Sequence, residues 1–246
     1  MSIVNKEHLD EIAEKYHLNP KEHPDLFIEN TMQEYCSKWI KKHITAKCNV
    51  LELGYGDGII TNELYQHCKK YSIVEGSSLI CEKVKQKHPQ INIYCSLFEN
   101  FIPKEKFDFI IAGHVLEHVD NPVVIVKLIK NWLSKNGKLL IIVPNAESIH
   151  RELAVEMKLQ EKNSDLSPRD KIVGHLRVYN LNLLKQHIKE SNLEILEEKG
   201  FFLKVLPNSM MLDFPIDLIK ALCRISEKFP ASMLSNIGVL AGHKNN

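Results

Sequence analysis

Five short apolar runs, separated by stretches with helical spacing, constrain this chain more than any other feature. The runs are "CNVLELG" at 48–54, "YSIVEG" at 71–76, "INIYC" at 91–95, "FDFIIAG" at 107–113 and "GKLLIIVP" at 137–144. Each is rich in Ile, Val, Leu or aromatic residues, as strands buried on both faces should be. Residues 58–69, 77–88 and 122–134 between them read as helices; Asn136-Gly137 closes the last, and Pro144 stops the fifth run. Strands alternating with helices make βαβ units, and so a parallel sheet with helices on both faces. Right-handed crossovers then bring every strand-to-helix turn to one edge of the sheet, where such folds bind ligands.

Outside this rhythm the chain divides by composition. In residues 1–46, "PDLFIENTMQEYCSKWIKKHI" sets Phe27, Met32, Tyr35, Trp39 and Ile40 at helical spacing after a Pro24-Asp25 start, as for an amphipathic helix capping one side of a core. Residues 47–144 hold the five runs. Residues 145–180 are polar and partly helical; a long insertion at the ligand edge reads as a lid or substrate loop. Residues 181–246 supply an amphipathic helix ("LNLLKQHIKESN"), a strand bending near Gly200 and a final strand ("SNIGVLAGHK"). Between those strands, 207–234 reads as a helical insertion with apolar residues enough for a core helix, a greasy pocket or a homodimer face. The reading is one domain over 1–246.

Net charge is +1 with histidine neutral, and charged residues make up 26% of the chain. No bulk field draws in nucleic acid or an anionic membrane. No stretch approaches the roughly 18 apolar residues of a membrane span. The six cysteines have no paired spacing. With no apolar leader at the N-terminus, they read as reduced thiols of a cytoplasmic protein.

The glycines after the first run carry the strongest chemical signal. "LELGYGDG" places Glu52, Gly54, Gly56 and Gly58 where a backbone must turn tightly and pass close to a ligand. The pattern is G-x-G-x-G, not the dinucleotide pattern G-x-G-x-x-G. Glu75 ends the second run, where a carboxylate can accept hydrogen bonds from ribose hydroxyls. From about residue 47 to 242 the chain resembles the class I S-adenosylmethionine-dependent methyltransferases. "VLELGYGDG" and "IVEGS" match that family's first and second motifs, while "FDFIIAGHVLEHVDNP" and "LSKNGKLLIIVPN" match its fourth and fifth strands. The resemblance implies an α/β fold: a Rossmann-like, doubly wound, mostly parallel seven-stranded sheet with an antiparallel last strand. It implies S-adenosylmethionine as cofactor, S-adenosylhomocysteine as product and no metal. It also implies cofactor contacts from Tyr55, Gly76, Gly113 and His114 beside the glycines, Glu52 and Glu75. Where the family often has an Asp after the third strand, this chain has Ser96, followed by Leu97 and Phe98, so the adenine contact departs from the family's pattern.

Methyl transfer from a sulfonium needs alignment more than activation, but a hydroxyl acceptor benefits from a base. Histidine suits that role, and "HVLEH" at 114–118 offers His118 and His114, with Val115, Leu116 and Val119 turned to the core. Read alone, the same five residues match a zinc hydrolase with His114 and His118 as ligands and Glu117 as base, a reading that leaves the glycines and Glu75 unexplained. In the methyltransferase reading Glu117 orients a neighbour or faces solvent. "GHLRVYN" adds His175, Arg177 and Tyr179 on alternate residues, hence one face of an extended segment, and Asn145, His150 and Arg151 lie at the other end of the insertion. Arg177 reads as a clamp for a carboxylate or phosphate. Together these six residues predict a small, polar or anionic acceptor. Looser likeness to enzymes of cell-surface polysaccharide precursors points to O-methylation of a sugar or phosphorylated metabolite. An amine acceptor and a quinone or lipid hydroxyl remain as alternatives.

Overall fold

The computed structural model describes residues 4–244. Seven strands form one sheet: β1 Asn49–Leu53, β2 Lys70–Glu75, β3 Asn92–Cys95, β4 Phe107–Gly113, β5 Leu133–Pro144, β6 Leu193–Phe201 and β7 Asn236–His243. Their order is β3-β2-β1-β4-β5-β7-β6. β7 runs antiparallel to both β5 and β6, and every other pairing is parallel. The last strand of the chain is therefore antiparallel, and it sits inside the sheet, not at its edge.

Side chains alternate between two cores, which is why the strand runs are apolar throughout. Val50, Phe109 and Ile111 face one cluster with Ile28, Met32 and Trp39. Leu51, Ile110 and Ala112 face the other, with Ile125, Ile129 and Ile188. The first cluster is covered by α2 (Leu26–Lys41), α3 (Ile59–Leu64), α4 (Ser78–Lys87) and, from the late insertion, α9 (Ile216–Ile225); the second by α5 (Pro122–Trp132) and α8 (Leu181–Glu190). Among the described residues no helix is long and apolar enough to cross a membrane.

The junction of α5 and β5 differs from the sequence reading, while the Pro24-Asp25 start of α2 agrees with it. α5 ends at Trp132, and β5 begins at once with Leu133 paired to Phe107; the register then slips between Phe107 and Phe109. Gly137 allows this, since a Cβ there would lie 2.7 Å from the Phe107 carbonyl oxygen. Asp25 stands at the start of α2 but does not cap it; its carboxylate is taken by Arg169 and by Asn208 (2.8 Å). The insertion 207–234 buries Met211, Ile219 and Cys223 and exposes Ile216, Leu218 and Ile225. It contributes nothing to the cavity at the carboxyl ends of the strands, so it builds no greasy pocket there.

Candidate cofactor and acceptor site

β1 pairs with β2 on one side and β4 on the other, so the chain changes direction across the sheet at β1. Such a switch opens a crevice at the strands' carboxyl ends. It holds a cavity of about 320 Å³, in the range of small-molecule sites. Its floor is the turn after β1. Gly56 has φ +53° and lines the cavity, with no atom closer than His17 Cε1 at 3.9 Å to a Cβ built there; the turn demands its conformation, and a longer side chain would enter the cavity. Gly58 serves packing: it does not line the cavity, and a Cβ would strike the Tyr55 ring at 2.2 Å.

Two buried carboxyl groups hold this floor. Glu75 accepts from the backbone N–H of Tyr55 (2.9 Å) and of Ser77 (2.8 Å), tying the glycine turn to the end of β2. Burial pushes its pKa up, against the lowering effect of those hydrogen bonds. Glu52 accepts from the hydroxyls of Thr61 and Tyr71, the latter at 2.8 Å. Burial raises its pKa to about 8 despite both donors, so it is largely a neutral carboxyl at pH 7.

The roof is the N-terminal segment, α1 (Lys6–Ile12) and the π-helical turn Ala13–His17. Leu9, Ile12, Tyr16 and His17 line the cavity from above. Polar ties fix them: Asp10 accepts from Ser77 Oγ (2.5 Å), His17 meets Asp57 (2.9 Å), and Arg169 donates to the Tyr16 hydroxyl.

The far wall gathers the charged side chains. After β4 the chain does not form a helix; His114 takes φ +57°, rare for a side-chain-bearing residue, and its N–H bonds to the Ile142 carbonyl (2.8 Å). The turn sends Leu116 into the core, sets Val115 and Val119 between core and cavity, and leaves His114 and His118 on the cavity. Burial lowers the pKa of His118 to about 4, so it is neutral at pH 7. Glu117 is wholly buried and does not face solvent. Its Oε1 lies 3.4 Å from His114 Nδ1 and 4.0 Å from His175 Nε2. Burial pushes its pKa up, and the surrounding imidazoles outweigh that effect and leave it below the ordinary value. From the insertion come α6 (Ile149–Glu156) and α7 (Pro168–Ile172). They set Asp170 between Arg151 (2.6 Å) and His175 Nδ1 (2.8 Å). Lys204 stands 3.8 Å from Glu29, and burial lowers its pKa.

Residues 10–198 match the model of a family described as a methyltransferase domain. The chain belongs to that family. Solved structures with the same fold include a methyltransferase from Thermotoga maritima, described as a possible histamine N-methyltransferase. It is 18% identical, with a TM-score of 0.64 over 96% of this chain and 100% of that one. Another is an S-adenosylmethionine-dependent methyltransferase from Clostridium acetobutylicum (12% identity, TM-score 0.57, 88% and 92% covered). A third is the N-methyltransferase NodS from Bradyrhizobium japonicum in complex with S-adenosylhomocysteine (13% identity, TM-score 0.53, 88% and 87% covered). No curated protein matches the sequence significantly.

In this methyltransferase the cavity brings together Glu52, Gly54, Tyr55, Gly56, Glu75 and Gly76 from the first two motifs, and Leu97, Phe98, Gly113 and His114 beyond them. Gly58 stands behind the floor, and the Ser96 hydroxyl bonds to the Leu97 carbonyl (2.9 Å), away from the cavity lining. Of the six residues expected to hold acceptor, His150, Arg151 and His175 line the cavity, while Asn145, Arg177 and Tyr179 do not. Asn145 and Tyr179 bridge the two ends of the insertion, and Asn145 donates to the carbonyls of Ser232 (2.7 Å) and Leu234 (2.8 Å). Arg177 donates to the carbonyls of Leu116, Val119 and Asp120, closing the turn after β4. Residues 175–179 therefore do not present one face: the methyltransferase uses Arg177 as a backbone clamp, not an acceptor clamp. Tyr16, His17, Glu29, Arg169 and Lys204 on the cavity went unread because distant segments supply them. Asp170 had a local signal: "SPRD" forms a capping box, with Ser167 and Asp170 exchanging hydrogen bonds.

Proposed function

We propose that the chain moves a methyl group from S-adenosylmethionine to an oxygen of a small, hydroxyl-rich acceptor of the sugar type, such as a precursor of cell-surface polysaccharide. The carrying observation is the single cavity that joins the glycine floor and Glu75 to a wall of imidazoles and paired charges. The residues fit the cofactor: the Gly54–Gly56 turn leaves room for it, the Glu75 carboxylate suits its ribose, and Leu97 and Phe98 suit its adenine. When bound, it would supply an electrophilic methyl on a sulfonium, the acceptor oxygen displacing sulfur, which would leave with the electron pair of the carbon–sulfur bond.

Among the chain's own groups, His114 takes the acceptor's proton in this reading. Its Nδ1 leans on Glu117, its Nε2 is buried with no hydrogen-bond partner in the protein, and its unusual backbone conformation holds the ring at the wall. His118, also considered for this role, is a poor base because burial lowers its pKa to about 4 and so disfavours the protonated ring it would have to become. The acceptor is more polar than anionic. Arg151 faces Asp170, Arg169 faces Asp25 and Lys204 faces Glu29, so no cation among these three is free for a phosphate. An amine acceptor is the second reading, favoured by two neighbours, one described as an N-methyltransferase and one as a possible histamine N-methyltransferase, while Glu29 and Asp57 on the cavity are already paired with Lys204 and His17.

The test is incubation with S-adenosylmethionine and three acceptor panels: glycosides and nucleotide sugars, amines, and quinone-like phenols. Products are read by mass spectrometry for the gain of one methylene. Sugar hydroxyls should gain it. His114→Ala should lose most turnover and keep the cofactor-induced rise in melting temperature, while His118→Ala keeps more activity. Transfer to amines alone, or full activity of His114→Ala, refutes this reading.

A further inference from the structure

Glu117 presents an electrostatic problem that methyl transfer alone does not solve. The residue is 0% exposed, and neither carboxylate oxygen has a hydrogen-bond partner. Buried carboxylates are ordinarily paired with a cation or coordinated to metal, because an uncompensated charge is costly away from water. No lysine or arginine reaches it among the described residues; its only ion-pair neighbours are His114 and His175.

We propose that Glu117, His118 and His175 form a binding site for one divalent transition-metal cation on the acceptor wall of the cavity. One ligand atom from each lies within 4.8 Å of the others, a separation that one ion can bridge with little movement. The backbone fixes the three together. Glu117 and His118 follow one another on the turn after β4, and the Leu176 N–H bonds to the Glu117 carbonyl (2.8 Å), which sets His175 opposite them. The His118 and His175 rings meet edge to face at 4.7 Å.

The surroundings have the form of a metal's outer shell. His175 Nδ1 is bonded to Asp170 (2.8 Å), so Nε2 is the nitrogen turned toward Glu117. Asp170 is itself held by Arg151 and by the Ser167 cap. Carboxylate-oriented imidazoles of this kind recur behind metal ligands. Two imidazoles and one carboxylate suit zinc, iron(II), cobalt or manganese better than calcium. His118 and His175 also line the cavity, so the cation keeps an open position toward an acceptor hydroxyl. This differs from a zinc hydrolase: Glu117 is a ligand, not a base, and His114 stays outside the ligand set as the proton acceptor. Any part in transfer rests on the methyltransferase reading; binding of the ion does not.

The test uses the full chain, stripped with a chelator and titrated with Co²⁺ alone, followed by its visible absorption bands. The expected result is uptake of one ion per chain, competed by Zn²⁺, with affinity lowered at least tenfold in Glu117→Gln and in His175→Ala. Both variants should retain the melting shift given by S-adenosylmethionine, which separates loss of the metal from misfolding and from failure of the cofactor reading. No Co²⁺ or Zn²⁺ uptake by the wild-type chain overturns the proposal, whatever the variants do. Unchanged uptake in both variants also overturns it, and leaves a protonated imidazole as the countercharge of Glu117.

Discussion

Replacing Glu52 by Gln should make the protein more stable at high pH, although Glu52 lies in the cofactor motif. Its carboxyl is 3% exposed, and burial raises its pKa to about 8 against the donors Thr61 and Tyr71. Between 4.5 and about 8 the native state binds a proton that the unfolded chain has released. Stability therefore falls as pH rises through that window and levels off above about 8. At about 1.4 kcal/mol per pH unit, the window sets an upper bound of about 5 kcal/mol on the loss. A glutamine cannot ionise, and its carbonyl can still accept from either hydroxyl. Urea unfolding at pH 5 and pH 8.5 checks this. Glu52→Gln should fall within about 1 kcal/mol of wild type at pH 5 and exceed it by up to about 5 kcal/mol at pH 8.5. Histidines titrate in both proteins, so they cancel in the difference. Parallel stability curves for the two proteins refute the reasoning. A positively charged cofactor placed against Glu52 should draw the carboxyl to its ionised form. Its binding should then release a proton, seen as a buffer-dependent enthalpy in calorimetry and absent in Glu52→Gln.

S-adenosylmethionine at 100 times its Kd should stabilise the chain by about 2.7 kcal/mol in a melting experiment, and Gly56→Val should abolish the shift by placing a branched side chain in the cavity. Gly58→Ala should cost at least about 1 kcal/mol in urea unfolding, since the residue sits at φ +76° and the new methyl strikes Tyr55. Arg177→Ala should cost about 2 kcal/mol of stability, through loss of its bonds to three backbone carbonyls, and leave KM for the acceptor nearly unchanged. A large rise in KM with stability intact refutes that assignment.

The parts of this molecule that were legible in its sequence are those set by neighbours along the chain. The strand runs, the glycine turn and the acid ending β2 each depend on a few consecutive residues, and each lies where its pattern places it. The start of β5 misled because a strand paired through a bulge looks locally like a helix end. Arg177 and Tyr179 misled for a different reason. Alternation assumes an extended strand with two free faces, and here one stretch of chain is locked onto the turn after β4. Lys204 and Glu29 were invisible because they come from opposite ends of the chain and acquire meaning only when they meet.

The roof over the cavity bears on how the chain reaches this form. Leu9, Ile12 and Tyr16 precede β1 in the chain, and the surfaces that receive them belong to Gly76, Gly174 and Arg169. The roof thus has a divided berth: Leu9 rests on the sheet edge at Gly76, while Tyr16 waits for Arg169, 153 residues further along. Docking of the roof is therefore a late step in folding: a chain whose insertion is not yet in place leaves Ile12 and Tyr16 without the partners that hold them over the crevice.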